Sequence, residues 1–245
     1  LAEAPEKNHP LKTGFYAVFY AVISNGAIAF CFLPILFLWW KDIRKVHTFW
    51  VLGIYSFLNG FDNLLEVYFL SRSDAGHDVI RQFSHYYSLL EAPLILLIFG
   101  MARHGRGRKG ILLLLCLFLV AESILLRKGD QFLLLILGSG VGLIILSSLT
   151  GLLEYLKRME HTRFENSMVF VYGGLLFAYG SMLIIYIFAH FHHASGSGDA
   201  DSYLLYYLSV LLSAAVICAG LWTYGIHRPR GRSYTPTSDY SSSSS

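Results

Sequence analysis

The sequence predicts an all-α fold: a polytopic membrane protein of seven transmembrane helices, with the N-terminus outside and the C-terminus in the cytoplasm. Three observations predict it. Only 14% of the 245 residues are charged while 55% are hydrophobic, against about 25% charged in a soluble domain, and mean hydropathy is +0.52. Apolar runs long enough to cross a bilayer recur along the whole chain. The basic residues alternate between the two sides that seven spans define. Of the 19 Lys and Arg, 13 fall on one side, from Lys41 to Arg232, and 5 on the other, with Arg81 inside a span. The positive-inside rule places the richer side in the cytoplasm.

Taken in order, residues 1–13 are polar, contain Pro5 and Pro10, and read as an extracytoplasmic arm. The transmembrane domain covers 14–226, with spans at about 14–40, 48–71, 79–102, 110–127, 131–156, 165–190 and 203–226. The first span ends in Trp39-Trp40 at the interface, and Asn25-Gly26 with Pro34 predict a kink in it. Pro93 interrupts the third. A strongly basic loop, Arg103 to Lys109, leads into a fourth span that is Leu-rich and barely long enough. Gly138, Gly140 and Gly142 suit close helix contact in the fifth. The longest internal loop, 190–202, holds His190, His192 and His193. The tail, 227–245, is basic and then Ser-rich, and reads as disordered. Cys31, Cys116 and Cys218 all lie in apolar runs and read as small hydrophobes.

The most informative stretch is Asn59 to Glu91. On the second span Ser56, Asn59, Asn63 and Glu66 recur every three or four residues, with Asp62 beside them. On the third, Arg81, Ser84, His85, Ser88 and Glu91 do the same. Ionisable side chains inside a bilayer mark functional sites by default. At about 1.5 Å per residue, Glu66, His85 and Glu122 should share one level below the outer face, with Asp62 a turn deeper and Glu91 near the midplane. That is a polar funnel open to the outside, between the second, third and fourth spans. The candidate ligand-binding residues are Asn59, Asp62, Asn63, Glu66, Arg81, His85, Ser88, Glu91 and Glu122. Four acids against Arg81 and His85 call for protons, water or a cation. The structural alternative is that such groups only join helices, at about 0.6 kcal/mol per bond.

Three uses suit such a site: binding or sensing of a small molecule or cation, metal binding, and proton handling. Asp62, Glu66, His85 and Glu91 have the donor types for a divalent metal, and His190, His192 and His193 form a weaker second set. The apolar inner half of the membrane speaks against a through-path. The favoured reading is a cell-membrane protein that binds or senses a ligand, or a membrane subunit acting with a cytoplasmic or membrane protein partner. The alternative is an intramembrane metal-dependent enzyme acting on lipid, and a proton- or cation-coupled transporter comes third. Tyr172, Tyr179, Tyr186, Tyr203, Tyr206 and Tyr207 offer pocket walls, although most suit interfacial and core packing.

Asn59-x-x-Asp62-x-x-x-Glu66 resembles the first acidic motif of the UbiA-type intramembrane prenyltransferases, whose acids hold Mg²⁺ and a diphosphate. It ends in Glu, lacks a second acidic motif and faces the wrong side, so that activity is not carried over. Lipid hydrolases of the ceramidase and adiponectin-receptor type need three intramembrane His, and only His85 lies firmly inside a span. The seven-span layout resembles that of rhodopsins and seven-helix receptors. The seventh span has no Lys, which excludes Schiff-base retinal. No basic stripe on a soluble face is present for nucleic acid.

Overall fold

The computed structural model describes residues 10–40, 43–69, 77–103, 105–127, 133–192 and 199–226. Among them the regular structure is helical: α1 (Pro10–Phe37), α2 (His47–Phe69), α3 (His77–Ala102), α4 (Gly105–Leu126), α5 (Leu133–Leu156), α6 (Arg163–His192) and α7 (Asp199–Ile226), with one 3₁₀ turn at Ile43–Lys45. Six of the seven are long and apolar enough to cross a membrane. The exception is α2, whose 23 residues carry the Asn–Asp–Asn–Glu face.

Several boundaries move from the expected ones. Pro10 opens α1, so the end of the expected arm is helical; proline suits a first helical position because its missing N–H would have no partner there. Asn25 bonds back to the Ala21 carbonyl at 2.7 Å and α1 runs on without a break. The basic segment expected to be a loop is mostly helix: Gly105, at φ +63°, turns the chain, and Arg106, Arg108 and Lys109 lie in the first turns of α4. A positive φ is available to glycine at little steric cost. The 190–202 loop is shorter than expected, because α6 runs to His192 and α7 starts at Asp199. Residues 1–9, 70–76, 193–198 and 227–245, which include His193 and the Ser-rich tail, lie outside the described residues.

The helices pack as a closed ring. α1 lies against α2 and α7, α2 against α3, α3 against α5, α5 against α6, and α6 against α7. α4 stands outside that ring, leaning on α3 and more lightly on α5. Close approach depends on small residues, as expected where lipid gives no hydrophobic drive between helices. Between α6 and α7, Ser167 donates to the Gly220 carbonyl at 2.8 Å, and a Cβ at Gly174 or Gly220 would meet the opposite backbone at 3.0 and 2.9 Å. In α5 only the middle glycine of the expected trio is so used: Gly140 faces Ala92 of α3, while Gly138 and Gly142 have nothing within 4 Å.

Polarity is arranged opposite to a soluble protein. Ser24, Ser56, Asn63, Ser148, Ser167, Ser209 and Ser213 are buried, while Val18, Val22, Leu113, Leu117, Leu135 and Leu146 are each about 60% exposed. An apolar surface that extensive belongs in lipid.

Candidate functional site

The acids of α2 and α3 meet hydroxyls. Asp62 accepts a 2.5 Å bond from the Ser84 hydroxyl. Each lies seven residues from the end of its helix that adjoins the 70–76 connection, about 10 Å in. The sequence alone sets Asp62 a turn deeper than His85; with α2 ending at Phe69 and α3 starting at His77, Asp62 is level with Ser84, next to His85. One turn below, Ser88 bonds back to the Ser84 carbonyl at 2.7 Å and is internally satisfied.

Glu91 is the centre of the network. Its Oε1 accepts 2.5 Å from the Tyr179 hydroxyl of α6 and 3.3 Å from Tyr87, one turn earlier on α3. The Tyr179 and Tyr55 hydroxyls lie 3.2 Å apart, so α2, α3 and α6 are joined at one level. Tyr55 and Glu91 both lie 14 residues from the same ends of their helices, which sets that level near the middle of the bundle. Glu66 faces α7, where the Tyr207 hydroxyl reaches its Oε2 at 3.5 Å. Tyr20 of α1 packs edge-on against Tyr207 with ring centroids 5.7 Å apart. Tyr206 sits in the combined field of Glu91, Glu66 and Asp62.

Asn63 is 1% exposed. Its amide nitrogen donates to the Asn59 carbonyl at 2.8 Å and to the Asn59 side-chain oxygen at 2.9 Å. Its own side-chain oxygen is buried without a hydrogen-bond partner. Asn59 also points its amide at Cys31 of α1, 3.9 Å away. The cluster therefore holds three carboxylates and an unpaired amide oxygen.

Other predicted residues stand elsewhere. Glu122 is buried on α4, outside the ring, and makes no hydrogen bond or ion pair among the described residues. The hydroxyls that meet the acids stand on α3, α6 and α7 and, among the described residues, none on α4. His85 is half-buried and turns its ring towards Tyr86, at 5.9 Å between centroids. Arg81, His190 and His192 lie on α3 and α6, but their side chains are outside the described residues, as is His193 entirely. Among the described residues no three His, Cys, Asp or Glu side chains gather as a metal ion needs. Asp62, Glu66, His85 and Glu91 are not brought together as a metal set.

No family model, curated protein or solved structure matches this chain. Its chemistry has to be read from the cluster.

Sequence reasoning singled out the acids and, on α6 and α7, Tyr179, Tyr206 and Tyr207. It missed Tyr20, Tyr55 and Tyr87. Two of these carried a usable signal: Tyr87 lies four residues before Glu91, and Tyr55 four before Asn59, each on the polar face of its helix.

Proposed function

We propose that this is a seven-span cell-membrane protein whose acid–tyrosine cluster binds a small cationic or hydrogen-bond-donating ligand and reports its presence. One observation carries the reading: the cluster has a surplus of acceptors. Asp62, Glu66 and Glu91 are met by hydroxyls in every bond they make among the described side chains, and the Asn63 oxygen has no donor among the described residues. Carboxylates held away from water without a cation are costly. A ligand that brings positive charge and N–H donors offsets that cost. The tyrosine faces favour the same chemistry, since aromatic rings attract organic cations. A protonated amine fits both features.

The topology belongs to this reading. α2 is too polar to be recognised as a span by its composition, yet it is packed between α1 and α3 and is about 34 Å long, enough to cross. Counting it gives seven spans, and the distribution of Lys and Arg then sets the N-terminus outside. The acids of α2 lie in the half nearer the outer end. A signal from the bundle would pass to a protein partner.

The test is a thermal-shift titration of detergent-purified protein with primary amines, quaternary ammonium ions and divalent cations. Wild-type protein should gain stability with at least one amine, and Asp62→Asn and Glu91→Gln should lose that gain. If no cation stabilises the wild type while both variants melt as it does, the cluster is helix-joining structure and the proposal fails. A response to divalent ions alone, with stoichiometric metal in the purified protein, would replace the amine reading with a metal one. A reporter fused to the C-terminus should signal cytoplasm.

A further inference from the structure

A second polar site lies at the opposite end of the bundle, where α3 and α5 end and α4 and α6 begin. Arg103, just past α3, is 10% exposed in its side chain. One terminal nitrogen donates to the Ser147 carbonyl at 3.1 Å and to the Thr150 hydroxyl at 2.7 Å. The other lies 3.5 Å from Glu154, whose side chain is half exposed. Its Nε is buried with no partner. Arg103 and Glu154 line a cleft of about 60 Å³, with Tyr155, Arg158, Glu165 and Tyr172 around it. That space holds several waters or one small oxyanion.

The other charges at the cleft are already committed. Glu165 pairs with Arg158 and accepts the Thr162 backbone N–H at 2.8 Å, closing a capping box at the start of α6. Tyr155 donates to Asn166 at 2.8 Å and stacks on His161, centroids 3.7 Å apart. The His161 Nδ1 is a second buried nitrogen without a partner. Glu154 is the weakly held member, 3.5 Å from Arg103 and half in solvent. An anion with several oxygens could take the place of Glu154 at the terminal nitrogen of Arg103 that it meets at 3.5 Å. A guanidinium matches a phosphate in that way because its N–H groups form a planar fork.

The surroundings favour the same ligand. Arg108, Lys109, Lys157 and Arg163 are exposed at this end. The apolar spans stop at Ala102, Gly107, Leu156 and Arg163, so the cleft sits where lipid headgroups begin. We propose that the cleft is a phosphate-binding site anchored by Arg103 and gated by Glu154, filled either by the phosphate of an anionic lipid or by free phosphate.

Two arms test it, both read as thermal shift and as affinity. One titrates detergent-purified protein with inorganic phosphate against chloride at equal ionic strength. The other compares nanodiscs of phosphatidylcholine with nanodiscs containing phosphatidylglycerol. The expected result is stabilisation in at least one arm, lost in Arg103→Gln and about tenfold tighter in Glu154→Gln, and the arm that responds identifies the source. No shift in either arm, or an equal shift in Arg103→Gln, overturns the proposal. Should Arg103→Gln not fold, Glu154→Gln decides, and unchanged affinity in that variant overturns it. The amine titration of the acid cluster is independent of both arms.

Discussion

Replacing Tyr179 with Phe removes one oxygen and keeps the ring, so it isolates the hydroxyl that joins α6 to Glu91. Two magnitudes compete for the outcome. Hydrogen bonds between membrane helices contribute on average about 0.6 kcal/mol, whereas bonds to charged groups contribute about 1.5–3 kcal/mol. The Tyr179 bond is short, 2.5 Å, and the same hydroxyl contacts Tyr55 at 3.2 Å. Tyr179→Phe should therefore cost about 2 kcal/mol. Tyr87→Phe, which removes a 3.3 Å bond to the same carboxylate oxygen, should cost about 0.5 kcal/mol. The pair is an internal control, because both changes spare the packing. In a Glu91→Gln background the cost of Tyr179→Phe should fall by about 1 kcal/mol, the coupling expected of residues in one network. The assay is reversible unfolding in mixed micelles followed by tryptophan fluorescence. A Tyr179→Phe cost at or below that of Tyr87→Phe, additive with Glu91→Gln, would refute the claim that Glu91 is the centre of the cluster.

Three further outcomes follow from the packing. Gly220→Ala should destabilise by about 1–3 kcal/mol, since its Cβ would lie 2.7 Å from the Phe170 Cβ and 2.9 Å from the Ser167 carbonyl oxygen; Gly142→Ala, with nothing within 4 Å, should be neutral or gain about 0.5 kcal/mol in the same unfolding assay. Thr162→Ala removes the hydroxyl that accepts the Glu165 N–H at 3.2 Å and should cost about 1 kcal/mol, seen as faster amide exchange in the first turn of α6. Glu122→Gln should leave the amine response of the protein intact where Glu91→Gln abolishes it; equal loss in both would return Glu122 to the site.

The fold was legible because its signals are long. Apolar runs and basic loops announced the helices, α2 among them, and the polar residues of α2 then read as one face of it. Boundaries were less so. Gly105 allows a turn so tight that Arg106 to Lys109 become helix, and no periodic pattern marks that. The acids of the cluster were visible as charges in the wrong place. Their partners were not, because a tyrosine on α6 or α7 looks the same whether it anchors at an interface or donates to a carboxylate on α3. Which helix faces which is decided by small residues such as Gly174, Gly220 and Gly140, and only the last lay in a stretch that drew notice. Glu122 shows the converse: depth along a helix can be counted from sequence, but the helix's position around the ring cannot.

The ring order has a consequence for how the chain is made. α2 and α3 leave the ribosome early, carrying Glu66 and Glu91, while the tyrosines that bond them on α6 and α7 arrive last. α2 is the one helix not apolar enough to cross a membrane by composition, so on the seven-span proposal it would insert in the company of α1 or α3. Until the final helices dock, Glu66 lacks Tyr207 and Glu91 has only the 3.3 Å bond from Tyr87 on its own helix. A chain truncated before α6 would keep the Ser84–Asp62 and Tyr87–Glu91 bonds and lose the Tyr179 and Tyr207 hydroxyls, so its acids would be the less satisfied ones.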